Sequence, residues 1–312
     1  MAKQFTPAFS AFVNIELTNT FSSQDGWGDL RLEEAWLQYR HSSALRIHVG
    51  LQIPDFNNLN TIKNRTPLLP YIIRPLAYES SFRDFVGTSN YIPEHSFVRV
   101  SGTQPVGDVR LDYVVHLGNQ EAFVTAQGGN TYPSGTDVSL AKAYGGRVGA
   151  RYRGVKVGVS ATSDSYVEDS FGIDQVDRYR LGADLSFTIQ RLLFESEVIS
   201  VENVLSDAQQ RQFERLSAND PLAGSSLDRR FYYVMLGYYL AGQWLVYSSI
   251  SQIYDLDSKI TADGITFWSV GGTFKPLEQV VLKIQYLRGH LDAEPIQTYS
   301  GSHLLAAVSV LF

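Results

Sequence analysis

The stretch Pro54–His95, PDFNNLNTIKNRTPLLPYIIRPLAYESSFRDFVGTSNYIPEH, decides how the rest of the chain is read. Before it, Leu45–Ile53 alternates apolar and polar residues, and after it Phe97–Ser101 resumes the same rhythm. Within it the rhythm is gone. Its prolines, Pro54, Pro67, Pro70, Pro75 and Pro93, argue against a long helix or a central strand. Its middle, LLPYIIRPLAY, is too apolar and aromatic for a solvated loop or a disordered segment. An irregular insertion of this length in a compact fold is functional when it is not disordered. The expectation is a loop, residues 54–95, that folds back into a β-barrel and constricts its bore.

Working outward, period-two alternation recurs along the chain, each run presenting one apolar and one polar face. The runs are Phe9–Leu17, Leu30–Arg40, Leu45–Ile53, Phe97–Ser101, Val106–Leu117, Ala141–Tyr152, Val155–Ala161, Arg178–Ile189, Leu192–Val201, Phe231–Leu240, Trp244–Ile253, Ile265–Phe274, Val280–Leu287 and His303–Phe312. Expected tight turns include Gln104-Pro105, Arg153-Gly154, Gln190-Arg191, Gly242-Gln243 and Lys275–Glu278. The connections between them are longer and polar: Gly118–Leu140, Asp164–Asp177, Glu202–Arg230, Tyr254–Gly264 and Gly289–Ser302. Short turns at one end, long loops at the other and an even strand count describe an outer-membrane barrel. The fold expected is all-β: a transmembrane antiparallel up-and-down barrel of about fourteen strands, forming one domain over residues 1–312. A hairpin hidden in Gly118–Leu140 or Glu202–Arg230 would make sixteen. Both termini fall at the short-turn end.

Composition agrees. Among 312 residues there are 18 Tyr, 17 Phe and 25 Gly, a strand-and-turn inventory. With no Cys, disulfides, thiolate metal sites and cysteine nucleophiles are excluded. A mean hydropathy of −0.12 resembles a soluble protein, but only alternate residues of a barrel strand meet lipid. A water-soluble sandwich or propeller would also alternate; it would not need loops of systematically unequal length. Phe231–Tyr247, uncharged and aromatic, is the best candidate for a membrane helix, yet it is short for a span and its Ala241-Gly242-Gln243 break reads better as a hairpin. Met1–Phe5 has no apolar leader core, so in an outer-membrane protein this sequence is expected to be the processed form.

Strand parity assigns a lumen face. Its basic members are Arg40, Arg46, Arg99, Arg110, Arg147, Arg151, Lys156, Arg178, Arg180 and Lys283, against Glu16, Glu34, Asp112, Asp184, Glu195 and Glu197. The inward loop adds Arg74 and Arg83, with Arg74 expected at the constriction. The chain's net charge of −6 then resides mainly in loops, and an acidic whole can hold a basic bore. Rings of Arg and Lys attract anions in a water-filled pore. The competing reading is that these charges only pair across strands, Arg178 and Arg180 with Glu195 and Glu197 for instance. Of the tryptophans, Trp27, Trp244 and Trp268 fit interface girdles, while Trp36 has lumen parity and is expected to pack under the loop.

Catalysis finds little support. No histidine carries a recognised motif, and Ser302-His303, adjacent on a strand, point to opposite faces. The acidic Asp164–Asp177 lacks an EF-hand register and reads as a solvated loop. No enzyme activity, cofactor, metal or nucleic-acid partner is expected. A pore passing solutes and a plugged barrel serving as a structural or binding partner in an envelope complex are the two remaining classes.

Two segments resemble known families. His303–Phe312, HLLAAVSVLF, resembles the terminal strand of Gram-negative outer-membrane proteins, whose final aromatic belongs to the assembly signal. Glu34–Arg40 (EAWLQYR), Leu45–Phe56 (LRIHVGLQIPDF) and Leu68–Phe82 (LLPYIIRPLAYESSF) together resemble the phosphate-selective porin family, in which such a strand pair precedes a long inward-folded third loop. The resemblance implies an integral protein of the Gram-negative outer membrane that passes small anionic or neutral solutes. Its partners would be outer-membrane lipid and either copies of itself in a homotrimer or other envelope proteins.

Overall fold

A computed structural model describes residues 2–18, 29–65, 68–79, 90–119, 142–168, 173–217, 228–255, 264–291 and 299–310. The strands are β1 (Ala2–Gln4), β2 (Phe9–Thr18), β3 (Asp29–Arg40), β4 (Arg46–Gln52), β5 (Ser96–Val106), β6 (Val109–Asn119), β7 (Lys142–Tyr152) and β8 (Val155–Glu168), followed by β9 (Ile173–Ile189), β10 (Leu192–Val204), β11 (Arg229–Ala241), β12 (Trp244–Asp255), β13 (Ile265–Leu277), β14 (Val280–Leu291) and β15 (Tyr299–Val310). They form one antiparallel sheet in chain order. The fourteen expected strands are β2–β15. The fifteenth, β1, is a three-residue addition that pairs with the start of β2.

The faces are inverted relative to a soluble protein. On β9, Arg178, Arg180 and Asp184 are buried while Tyr179 and Leu181 are exposed, Leu181 to 61%. Of the residues whose parity points to lipid, Leu37, Tyr39, Leu111 and Tyr113 are likewise exposed. Apolar-out and polar-in is the arrangement that lipid selects, because hydrocarbon solvates Leu and Tyr rings and cannot solvate Arg. Strand β11 departs from simple alternation: Tyr232, Val234 and Leu236 face outward, and Phe231, Tyr233 and Met235 are also apolar but fully buried inside. That double-sided hydrophobicity is what made the segment resemble a membrane helix. Among the described residues no helix is long and apolar enough to cross a membrane.

Several boundaries differ from expectation. The β5–β6 turn is Gly107-Asp108, not Gln104-Pro105; the strand carries Pro105 opposite Arg110, one pair short of the turn. Likewise β13 runs through Pro276 to Leu277 across a register shift, so the next turn is Glu278-Gln279. The segment from Asp164 to Asp177 is not a loop over most of its length: β8 and β9 continue pairing to Glu168 and Ile173. Between β10 and β11 the described residues hold no hairpin but a helix, α1 (Asp207–Ser217), started by a reciprocal cap between Ser206 and Gln209. Phe213 of α1 packs on Tyr166 and Val176. Most of Gly118–Leu140, with Trp27, Arg83 and Phe312, lies outside the described residues.

Candidate functional site

Residues 54–65, 68–79 and 90–95 of the insertion reach the inner face of strands far apart in the sheet. Asn64 donates to Glu33 on β3 at 2.7 Å, Asp55 pairs with Arg99 on β5 at 2.6 Å, and the Asn57 amide donates to Ser160 on β8 at 2.9 Å. Arg180 on β9 donates to the Asn90 carbonyl, and Gln285 on β14 accepts from the amides of Ile72 and Ile73, both at 2.8 Å. One segment can touch the same face from β3 to β14 only if the sheet is curled around it. The described residues of the insertion lie inside the barrel.

Its position there follows from its two chemistries. Phe56, Leu59, Leu69, Tyr71, Leu76, Ala77 and Tyr78 form an apolar core with Ile199 and Val201 of β10, Phe231, Tyr233 and Met235 of β11, Tyr247 and Ile253 of β12 and Ile265 of β13. This is why β11 is apolar on both faces: one meets lipid, the other the loop. At the edge of that core Glu197 accepts hydrogen bonds from the amides of Asn58 and Leu59, at 3.0 and 2.8 Å, and from the Tyr78 hydroxyl. Burial, and next the Glu197 carboxylate, hold the Tyr78 phenol well above its ordinary value, so it keeps its proton and donates. On β9 the loop lies so close that a Cβ at Gly182 would stand 2.3 Å from the Asn57 side chain.

The charged candidates sort by depth. Arg74 is in the inward loop, and its guanidinium is tied to Glu79 at 3.3 Å and to the Lys63 carbonyl and Asn64 at 3.0 Å. Arg178 and Arg180 are buried together around Asp164 of β8, Arg178 holding both its oxygens and Arg180 one at 3.2 Å, with Asn90 of the loop completing the cluster. Their partner is therefore Asp164 and not Glu195 or Glu197, whose cross-strand neighbours are Ser186 and Asp184. Arg178 also lies 4.6 Å from the centre of the Tyr166 ring. Arg147 of β7 grips Asp184 of β9 with two nitrogens, reaching across β8 at Gly158, where a Cβ would come within 2.2 Å of the guanidinium.

Arg99 pairs with Asp55, and Arg151 with Asp112, which Thr103 also holds. Arg46 and Arg110 sit on the inner face near the short turns, Arg46 opposite Arg40 and Arg110 opposite Arg151. Lys283 is buried opposite Thr273 and Ala307. Trp36 faces inward and stacks on Phe12 at 5.2 Å and edge-on to His48. Trp244 and Trp268 are exposed on the outside, stacked on Phe274 and set edge-on to Tyr286.

Sequence reasoning missed Asp164, Glu79 and Asn90. Asp164 was legible, since it continues the inward parity of Ser160 and Thr162 on β8. Glu79 and Asn90 belong to an irregular segment and carry no periodic signal.

The fold is that of an antiparallel, up-and-down outer-membrane-type β-barrel with an inward loop. No family model and no curated protein matches the chain. Solved structures do: the outer membrane channel DcaP of Acinetobacter baumannii is similar over 99% of this chain and 83% of its own, with TM-score 0.59 and 13% identity. An anion-selective porin from Comamonas acidovorans is similar over 99% and 85%, with TM-score 0.55 and 11% identity. The outer membrane protein OmpT of Vibrio cholerae, in a trimer form, is similar over 99% and 89%, with TM-score 0.57 and 11% identity. At these identities the likeness is one of fold.

Proposed function

We propose that this protein is an outer-membrane porin of a Gram-negative bacterium, without enzymatic activity, that passes small solutes passively with a modest preference for anions. The observation that carries the reading is a wall asymmetry. Where the loop covers β10–β13 the bore is dry and apolar; along β5–β7 Arg99, Arg147 and Arg151 keep side-chain exposures of 24%, 17% and 47%. A descending row of partly hydrated guanidinium groups gives an anion several weak sites in series, which permits passage. Arginine suits such sites because it stays charged when partly desolvated and offers a planar fork to oxyanions. Pairing with Asp55, Asp184 and Asp112 tempers the field, so the preference is modest. Phosphate selectivity remains a narrower form of this reading, supported by the segments around Glu34–Phe82. A homotrimer in the lipid of the outer membrane is the assembly that the likeness to a trimeric neighbour favours.

A second reading has its own observation. Many inner-face residues, among them Glu34, His48, His116, Arg178 and Arg180, are below 8% exposed, as in a plugged barrel that acts through partner proteins. One measurement separates the two: the zero-current potential of the purified protein in a planar bilayer under a potassium chloride gradient. Small channels with an anion-selective sign are expected. A cation-selective sign removes the anion preference, and a membrane that never conducts leaves the plugged barrel.

A further inference from the structure

The outward face of β13–β15 changes character along its length. Toward the long loops the registers set Trp268, Arg288 and Ser302 in one row across the three strands, and Thr266, His290 and Ser300 in the next. Arg288, His290, Ser300 and Ser302 are exposed, and β13–β15 contain no Asp or Glu to pair with them. Asp255, at the end of β12, is matched in register with Arg229 of β11; Asp292 and Glu294, after β14, lie outside the described residues. The Trp268 ring, edge-on to Tyr286 at 6.2 Å, fits the aromatic girdle where hydrocarbon gives way to headgroups. An outward arginine is costly at mid-bilayer and nearly free at that level. Toward the short turns the same face sinks into an apolar groove of about 510 Å³. Its low point is Gly272, directly opposite Ile284, with Trp244 stacked on Phe274 beyond it. Tyr286 joins the two regions: its ring lines the groove and its hydroxyl donates to Ser302 at 3.1 Å.

We propose that this face holds a phosphate-bearing anionic lipid, its headgroup on Arg288 and His290 and one acyl chain in the groove over Gly272. The guanidinium offers a forked, charge-assisted contact to phosphate oxygens, and the Ser300 and Ser302 hydroxyls add donors beside it. Basic groups at the membrane surface attract anionic lipid, and buried apolar area holds the chain. Charge and order along the strands select this occupant: cations and hydroxyls lie at the girdle, and an apolar groove begins two residues away on the same strand. A free phosphate would leave the groove unused. The lipid comes from the leaflet at the long-loop end, which for an outer-membrane barrel is the outer one. The site depends on the outward face meeting lipid and not on whether the bore conducts.

The probe is dioleoylphosphatidylglycerol, added to the full-length protein in a neutral detergent, with dioleoylphosphatidylcholine as the control. Native mass spectrometry should show phosphatidylglycerol retained in preference to phosphatidylcholine. Arg288→Gln with His290→Gln should weaken retention about tenfold, as the loss of one or two charge contacts implies, while Arg191→Gln at an exposed turn should not. Ile284→Trp fills the groove without touching a charge and should weaken retention as well. Loss in the charge variant with none in Ile284→Trp would reduce the site to a surface attraction and overturn it. Competition by inorganic phosphate at concentrations equal to the lipid's would point to a free anion and overturn it too. Without added lipid the charge variant should melt like the parent; a lower melting temperature would give Arg288 or His290 a structural partner instead. A changed oligomeric state in either variant would make this face a contact between copies and overturn the lipid site. A barrel that conducts nothing yet retains phosphatidylglycerol in this pattern keeps the site and loses the porin reading, and a conducting anion-selective porin without that retention does the reverse.

Discussion

Individual inner-face residues divide into those that hold the loop and those that meet water. Asp164 shows the first kind. It is the carboxylate shared by two guanidinium groups that are themselves almost fully buried, so removing it leaves both in a site that cannot solvate them. Asp164→Ala should reduce stability by roughly 3–5 kcal/mol, read from urea unfolding of the barrel in lipid vesicles; a change within error would mean that water replaces the carboxylate freely. Tyr78→Phe tests a milder contact. It removes one of three donors to Glu197 while keeping the ring on Phe231 at 6.0 Å, so the barrel should fold normally while the loop loosens. The readout is open-channel noise, expected to rise; identical current traces would show that the amides of Asn58 and Leu59 suffice.

Strands and loop answer to different environments, and each can be tested as an element. On the strands, Leu181→Arg puts a charge on a lipid-facing position and should cost roughly 2–4 kcal/mol if it lies near mid-bilayer. A variant that folds and inserts like the parent would show that outward parity on β9 is wrong. For the loop, deletion of Leu68–Tyr78 removes much of the apolar mass on β10–β13 and should raise conductance. It also uncovers Phe231, Tyr233 and Met235, so thermal stability should fall at the same time. Higher stability with unchanged conductance would mean that the loop neither packs on nor narrows the bore.

At the scale of the whole molecule, charge is sorted by height and by wall. The ion pairs Arg99–Asp55 and Arg147–Asp184 sit within the bore, while the opposed basic residues gather at the short-turn mouth. Exposed charges are screened beyond about 8–10 Å at physiological salt. The zero-current potential measured at a fixed concentration ratio should therefore shrink as mean ionic strength rises from about 0.01 M to about 1 M. A potential independent of salt would point to selection by the narrow bore's shape or by desolvated groups rather than by the exposed arginines.

Alternation located most of β2–β15 and their faces, because lipid outside and polar groups inside impose period two on a strand, while β11, apolar on both faces, was marked as a hairpin strand by the break at Ala241-Gly242-Gln243. The prolines and apolar core of Pro54–His95 marked that segment as an insertion that had to bury itself. Turn positions were less legible: Pro105 and Pro276 signalled turns that lie two or three residues further on, since a strand near its end tolerates a missing amide donor. Only the tertiary structure decided which charges meet. Arg147 finds Asp184 across an intervening strand through the space left by Gly158, and Glu79 finds Arg74 within an irregular loop. Pairings of that kind depend on side-chain reach across the folded sheet and on the path of an irregular loop, which leave no period in the sequence; the alternation of faces depends on the solvent at each face, which does.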